Sequence, residues 1–155
     1  MDRQLIDRYV AEAADLGKSI AGLSREDLLA FPIPGTWSIQ QIVIHMFDAD
    51  LVSADRMKRI IAEDNPLLIG YDESKYAARL HYEDQDAHLA CEIFAKNRQL
   101  MGEVLRRLPD EVFNRTAIHN ERGKTTLAEY LAWGVVGHLQ HHLKFVREKR
   151  KLLGK

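Results

Sequence analysis

Residues 36–64 read TWSIQQIVIHMFDADLVSADRMKRIIAED, and they set the pattern from which the rest of the chain is read. Ser38 with Gln41 three residues on is a capping box. Each side chain can satisfy a backbone group that the first helical turn leaves unpaired. Ile42, His45, Ala49, Val52 and Arg56 then succeed one another at helical spacing, flanked by Met46 and Ile60. Nothing stops that period before Pro66, so a helix is predicted from Ser38 to about Glu63.

Working outward, residues 3–22 carry Leu5, Tyr9, Ala13, Leu16 and Ile20 on one helical face. SREDLLAFPIPGT breaks that helix. Ser24 and Asp27 can cap a short turn, and Pro32, Pro34 and Gly35 prevent anything longer. Downstream, residues 64–84 form a long connection with one short helix starting after Asp72. It supplies Tyr71, Tyr76, His81 and Tyr82, and a link this long in a compact domain is often functional. A third helix is expected over residues 85–107, with Cys91, Phe94, Met101 and Leu105 at helical spacing and Pro109 closing it. NRTAIHNERGKT reads as a turn-rich loop around Gly123. Thr126 and Glu129 then form a second capping box, opening a last helix that runs to about Lys151. Four long helices with little strand signal predict an all-α four-helix bundle, with a long connection between helices 2 and 3 and one domain over residues 1–155.

Composition narrows the function. Apolar residues make up 46% and charged residues 29%, and 22 basic against 23 acidic residues leave a formal charge of −1. This is the balance of a soluble protein with no electrostatic footprint for nucleic acid or an anionic membrane. No apolar run reaches the ~18–20 residues of a membrane span. With one cysteine, Cys91, and no secretory leader pattern, a cytoplasmic protein is expected.

The chemistry concentrates in the histidines. On the last helix the inward stripe reads Leu131, Val135, His138, His142 and Phe145. His138 and His142 stand at i and i+4, about 6 Å apart along the axis, close enough to converge on one ion. His141 falls at the edge of that stripe. His45 interrupts a second core stripe and is the natural third ligand. Three histidines leave a coordination position open, which is the catalytic kind of site. The motif is not HExxH, because Leu139 comes directly after His138, so the zincin glutamate is missing and the pattern argues against a zincin protease. Asp48, three residues after His45, is a candidate base or orienter. Arg98, between Phe94 and Met101 on a core stripe, needs an acid, which a structural carboxylate or a substrate could supply. His88 belongs on an outer face, His81 and His119 in loops that are exposed by default but could face the site mouth, and Cys91 in the core as an inert thiol. Gly134 and Gly137 weaken the last helix and point to close packing or room for a ligand.

TWSIQQIVIHMFDAD, FAKNRQLMGEVLRRLP and GKTTLAEYLAWGVVGHLQHHLKFV together resemble the DinB-like (DinB/YfiT) superfamily, in that order and over nearly the whole chain. The resemblance implies a four-helix bundle with a divalent metal, zinc or nickel, on three histidines. Matched by motif, these are His45, His138 and His142. It also implies a small-molecule substrate, a homodimer, and thiol-dependent S-transfer or isomerisation with a low-molecular-weight thiol such as mycothiol or bacillithiol as cosubstrate. A metal-dependent hydrolase is the alternative, and a non-catalytic metal-binding dimerising module is the rival from another class.

Overall fold

The computed structural model describes residues 3–155. Helix α1 (Gln4–Ala11) passes through a 3-10 turn, Glu12–Ala14, into α2 (Asp15–Ser19), with helical dihedrals kept at both joins. The single first helix expected from the spacing is therefore one helical path with a tightened middle. After α3 (Arg25–Leu29), capped by Ser24 and Asp27, comes α4 (Ile39–Ala62). Its capping box forms: Gln41 N donates to Ser38 Oγ at 3.1 Å and Ser38 N to Gln41 Oε1 at 3.0 Å. At the far end Arg115 donates to Ile60 O at 2.9 Å and to Glu63 O at 2.6 Å, satisfying carbonyls that the helix end leaves open.

Helix α5 (Glu73–Arg79) starts after Asp72, as expected, and α6 (Ala87–Arg107) after Asp86, whose side chain accepts from His88 N and Leu89 N. The last helix is α7 (Leu127–Tyr130), a π-helical stretch Leu131–Gly137, and α8 (His138–Leu152).

The connections add a small sheet to the expected all-α bundle. The segment read as a turn-rich loop is a hairpin of β2 (Thr116–His119) and β3 (Gly123–Thr126), and β1 (Leu67–Leu68) joins β2 in parallel. Ala117 and His119 do alternate inward. Strands of two and four residues are too short for a period of two to stand out from a loop. Gly123, at φ +79°, takes the left-handed turn conformation that glycine adopts freely.

Helix α4 packs on α6 and α8, α1 on α6, and α2 on α8. The core has two large apolar clusters and a smaller third of Ile44, Ala77, Tyr82 and Ala90. Of the two large ones, one holds Tyr9, Met57, Ile60, Met101, Leu105, Phe113 and Leu131; the other holds Leu16, Ile42, Met46, Phe94, Leu139 and Leu143. Between them the long helices contribute polar side chains to one level: Asp50 and Ser53 from α4, Arg98 from α6, and His138 from α8. That belt positions the candidate site. Among the described residues no helix is long and apolar enough to cross a membrane.

Candidate metal centre

His45, His138 and His142 meet where the belt reaches the wall of the bundle. His45 Nε2 lies 3.3 Å from His138 Nε2, and His142 Nε2 lies 3.0 Å from the same atom. Three nitrogens each ~2.05 Å from a tetrahedral zinc would stand about 3.3 Å apart. The donor chemistry fits as well. His138 Nε2 is shared by both contacts, yet one ring nitrogen carries either one proton or one lone pair and cannot serve two neighbours well. His45 Nδ1 is buried without a partner, so the ring's polar contacts run through the Nε2 that faces the other imidazoles.

Burial sets the protonation state. His45 has no exposed surface, and desolvation, then the His138 charge, pushes its pKa down to about 3. Desolvation, then His141, lowers His138 to about 4, and desolvation, then His138 and His45, lowers His142 to about 3. All three imidazoles are neutral at pH 7 and present lone pairs, the form that binds a cation.

The register of the last helix departs from the expected stripe. The π-helical stretch adds a residue to the turn before His138 and rotates α8 about its axis. Leu139, Leu143 and Val146 take the buried line, the two histidines fall at its border, and Phe145 is 36% exposed, its ring against His141 and His142. Gly134 makes room here: a Cβ would lie 2.9 Å from the Tyr130 ring.

Beside the imidazoles lies a cavity of about 380 Å³. Its wall includes Arg56, Tyr71, Glu73, Tyr130, Trp133 and His138. His141 stands at its rim, as its edge position predicts, and His119 lines it too. Of the two places open to His119 the site mouth holds and loop exposure does not: it sits on β2, 4% exposed, where its Nδ1 accepts from Glu121 N at 3.2 Å. His81 and His88 are exposed and remote from this wall, and burial drives the Cys91 thiol up to about 12, an inert core thiol as expected.

The two residues expected to act beside the metal lie elsewhere. Arg98 is 1% exposed and donates from Nε to Asp50 Oδ1 at 2.7 Å. Its guanidinium is therefore neutralised inside the bundle and does not reach the cavity as an anion anchor. It also donates to Val135 O, in the π-helical stretch, at 3.4 Å. The pair supports the backbone that leads into His138. Asp48 accepts from Tyr82 Oη at 2.6 Å rather than orienting an imidazole. The carboxylate nearest the three rings is one that sequence reasoning passed over: Glu73 Oε2, 4.0 Å from His45 Nε2. Burial, then Glu121, raises its pKa above the usual carboxylate range. Glu73 belongs to no helical stripe that could single it out. The one signal was its place directly after the cap residue Asp72, within a connection too long to be idle.

The sequence profile of the DinB superfamily matches residues 8–146. Two proteins of Oceanobacillus iheyensis, each named "putative metal-dependent hydrolase", are 27% and 26% identical, covering 85% and 95% of this chain and 75% and 88% of their own. A Bacillus cereus protein of the same name is 29% identical over 97% of this chain and 88% of its own. Among solved structures, YfiT from Bacillus subtilis superposes with a TM-score of 0.90 at 22% identity, covering 97% of this chain and 86% of that one. It is described as "a probable metal-dependent hydrolase with an unusual four-helix bundle topology".

Proposed function

The chain belongs to the DinB superfamily, and from that premise we propose that it is a metal-dependent hydrolase of a small molecule, with zinc or nickel held by His45, His138 and His142. The observation that carries this reading is the convergence of three neutral imidazole nitrogens at one point beside a cavity. A metal held by these residues would supply Lewis-acid polarisation and would lower the pKa of a water or a thiol. The chain supplies the rest. Glu73 Oε2 takes the proton from the attacking group and returns it to the leaving group. Trp133 and Tyr71 wall the cavity and limit water. The Asp50–Arg98 pair holds the π-helical stretch and with it the aim of His138. Asp48 positions Tyr82 and carries no proton in the reaction.

S-transfer with a low-molecular-weight thiol as cosubstrate is the second reading. A cavity of about 380 Å³ has room for a small electrophile and part of a thiol, and the chain's own Cys91 is buried and protonated. The working unit of this proposal is residues 1–155 as one domain, a cytoplasmic homodimer. The apolar Leu89, Ile93, Leu100 and Val104 exposed along α6 support a partner copy there.

Metal analysis of protein purified without a histidine tag tests the core of the reading. Stoichiometric zinc or nickel is expected in the wild type and its loss in His142→Ala; trace metal in both would overturn the assignment. Turnover of an ester and amide panel without thiol separates hydrolysis from S-transfer, which needs the thiol.

A further inference from the structure

Among the described residues, Arg56 is the cavity residue whose charge the fold holds in place and leaves unanswered. Its Nη1 donates to Tyr130 Oη at 3.2 Å and its Nη2 to the carbonyl of Ile69. Both acceptors are neutral, and among the described residues no carboxylate lies within ion-pair distance of it. A guanidinium has five N–H donors, so three remain. The contrast with Arg98 is direct, because that guanidinium has Asp50. The Tyr130 hydroxyl that steadies Arg56 is itself 3.1 Å from Ser53 Oγ, so the arginine is braced from the polar belt. In the same cavity lining, the Tyr71 hydroxyl is buried, has no partner and feels the Arg56 charge. A buried hydroxyl without a hydrogen bond is unfavourable, and a ligand oxygen would supply the missing partner. The other cavity arginine, Arg122, is exposed and lies over the Trp133 ring, 4.6 Å from its centroid, where its charge acts on Glu73.

We infer that Arg56 and the Tyr71 hydroxyl form an oxyanion-binding subsite beside the three imidazoles, so that the substrate is a small molecule carrying a carboxylate or phosphate at the end remote from the bond that reacts. The inference rests on the imidazoles being the reacting end, as proposed above. Both groups line the same cavity as His138. A planar fork of free donors suits a carboxylate or phosphate.

The test uses purified protein supplemented with zinc and calorimetric titration of benzohydroxamate, its 3- and 4-carboxy derivatives and its 4-phosphono derivative. The hydroxamate group seeks the metal, and the added anion reads the subsite. At least one charged probe is expected to bind about 10- to 100-fold tighter than the parent, the range for hydrogen bonds to a charged group. Which derivative wins distinguishes carboxylate from phosphate. Arg56→Gln should erase that difference and leave the parent's affinity within about twofold. Tyr71→Phe should reduce it about 2- to 10-fold, as for one neutral-donor bond. If circular dichroism shows Arg56→Gln to be unfolded, Arg56→Lys and Tyr71→Phe decide, and both must shrink the difference. Charged probes no tighter than the parent in the wild type, or a difference that survives these variants, would overturn the subsite. Parent affinity that is unchanged in His142→Ala would instead overturn the metal reading, while the charged-minus-neutral difference still reads Arg56.

Discussion

Acidification should destabilise the metal-free protein through the three imidazoles, and the size of the effect comes from their burial. His45 is pushed down to about 3 in the fold, against ~6.5 in an unfolded chain. Its folded pKa is depressed, so the folded state binds fewer protons than the unfolded state between these values. Stability is therefore full above ~6.5 and falls as the pH drops through that window toward the folded pKa. At pH 5 the unfolded imidazole is ~97% protonated and the folded one neutral, a difference of about 2 kcal/mol. His138, at about 4, and His142, at about 3, obey the same arithmetic. Both are partly exposed, and solvent trims their share. The loss between pH 8 and pH 5 should then lie between about 2 and 6 kcal/mol, a large part of the ~5–15 kcal/mol that holds a domain folded. Urea unfolding of chelator-stripped protein, monitored by circular dichroism at pH 8, 7, 6 and 5, measures it. His45→Met provides the control: its stability should decline less steeply, by up to about 1.4 kcal/mol per pH unit, one proton's worth. Parallel wild-type and His45→Met curves over this range would mean that His45 titrates in the fold as in water, and the closed, neutral site would be refuted.

The geometry carries three further outcomes. Asp50→Asn should cost about 3–5 kcal/mol in chemical denaturation, because it strands the buried Arg98, whereas Asp50→Leu with Arg98→Met should restore much of that loss. Gly134→Ala puts a Cβ 2.9 Å from the Tyr130 ring and should lower stability by about 1–3 kcal/mol; an unchanged melting curve would show that the ring is free to move. In competition with a chelator, His138→Ala should weaken zinc binding by more than the ~10- to 100-fold that loss of an outer partner costs. His141→Ala should change it only slightly, and equal losses would put both rings on the ion.

The features legible in the sequence are those that repeat with the helical period. The four long helices, the Ser38 and Thr126 caps and the shared location of His45, His138 and His142 all come from spacing, because a helix turns spacing into direction. The period also marked Arg98 as buried. It did not identify Asp50, because the pairing depends on how α6 is rotated against α4, and tertiary packing sets that rotation. The π-helical stretch was invisible for a related reason: a seven-residue run of apolar and small residues, LAWGVVG, satisfies an α-helix equally well. It moved Phe145 out of the core. Glu73, Tyr71 and the hairpin bearing His119 reach the site from connections, where no period relates sequence distance to position.

The polar belt explains why the candidate site lies at this level of the bundle and on this side of it. Charged and polar groups between two apolar clusters are costly unless each is answered. On the inner side the charges are paired, although Arg98 Nη1 and Tyr9 Oη have no partner: Asp50 accepts from both Arg98 Nε and Asn97 Nδ2 at 2.7 Å. On the cavity side a charge is left unpaired as well. Three imidazole nitrogens face one another with too few protons to share, Arg56 has donors to spare, and Tyr71 has a hydroxyl with no acceptor. The unanswered half is a cation's ligands at one end and an anion's donors at the other, opening on the same cavity. A molecule with a polarisable bond near the imidazoles and an acidic group near Arg56 would answer both at once, and Glu73 stands where a proton would have to move.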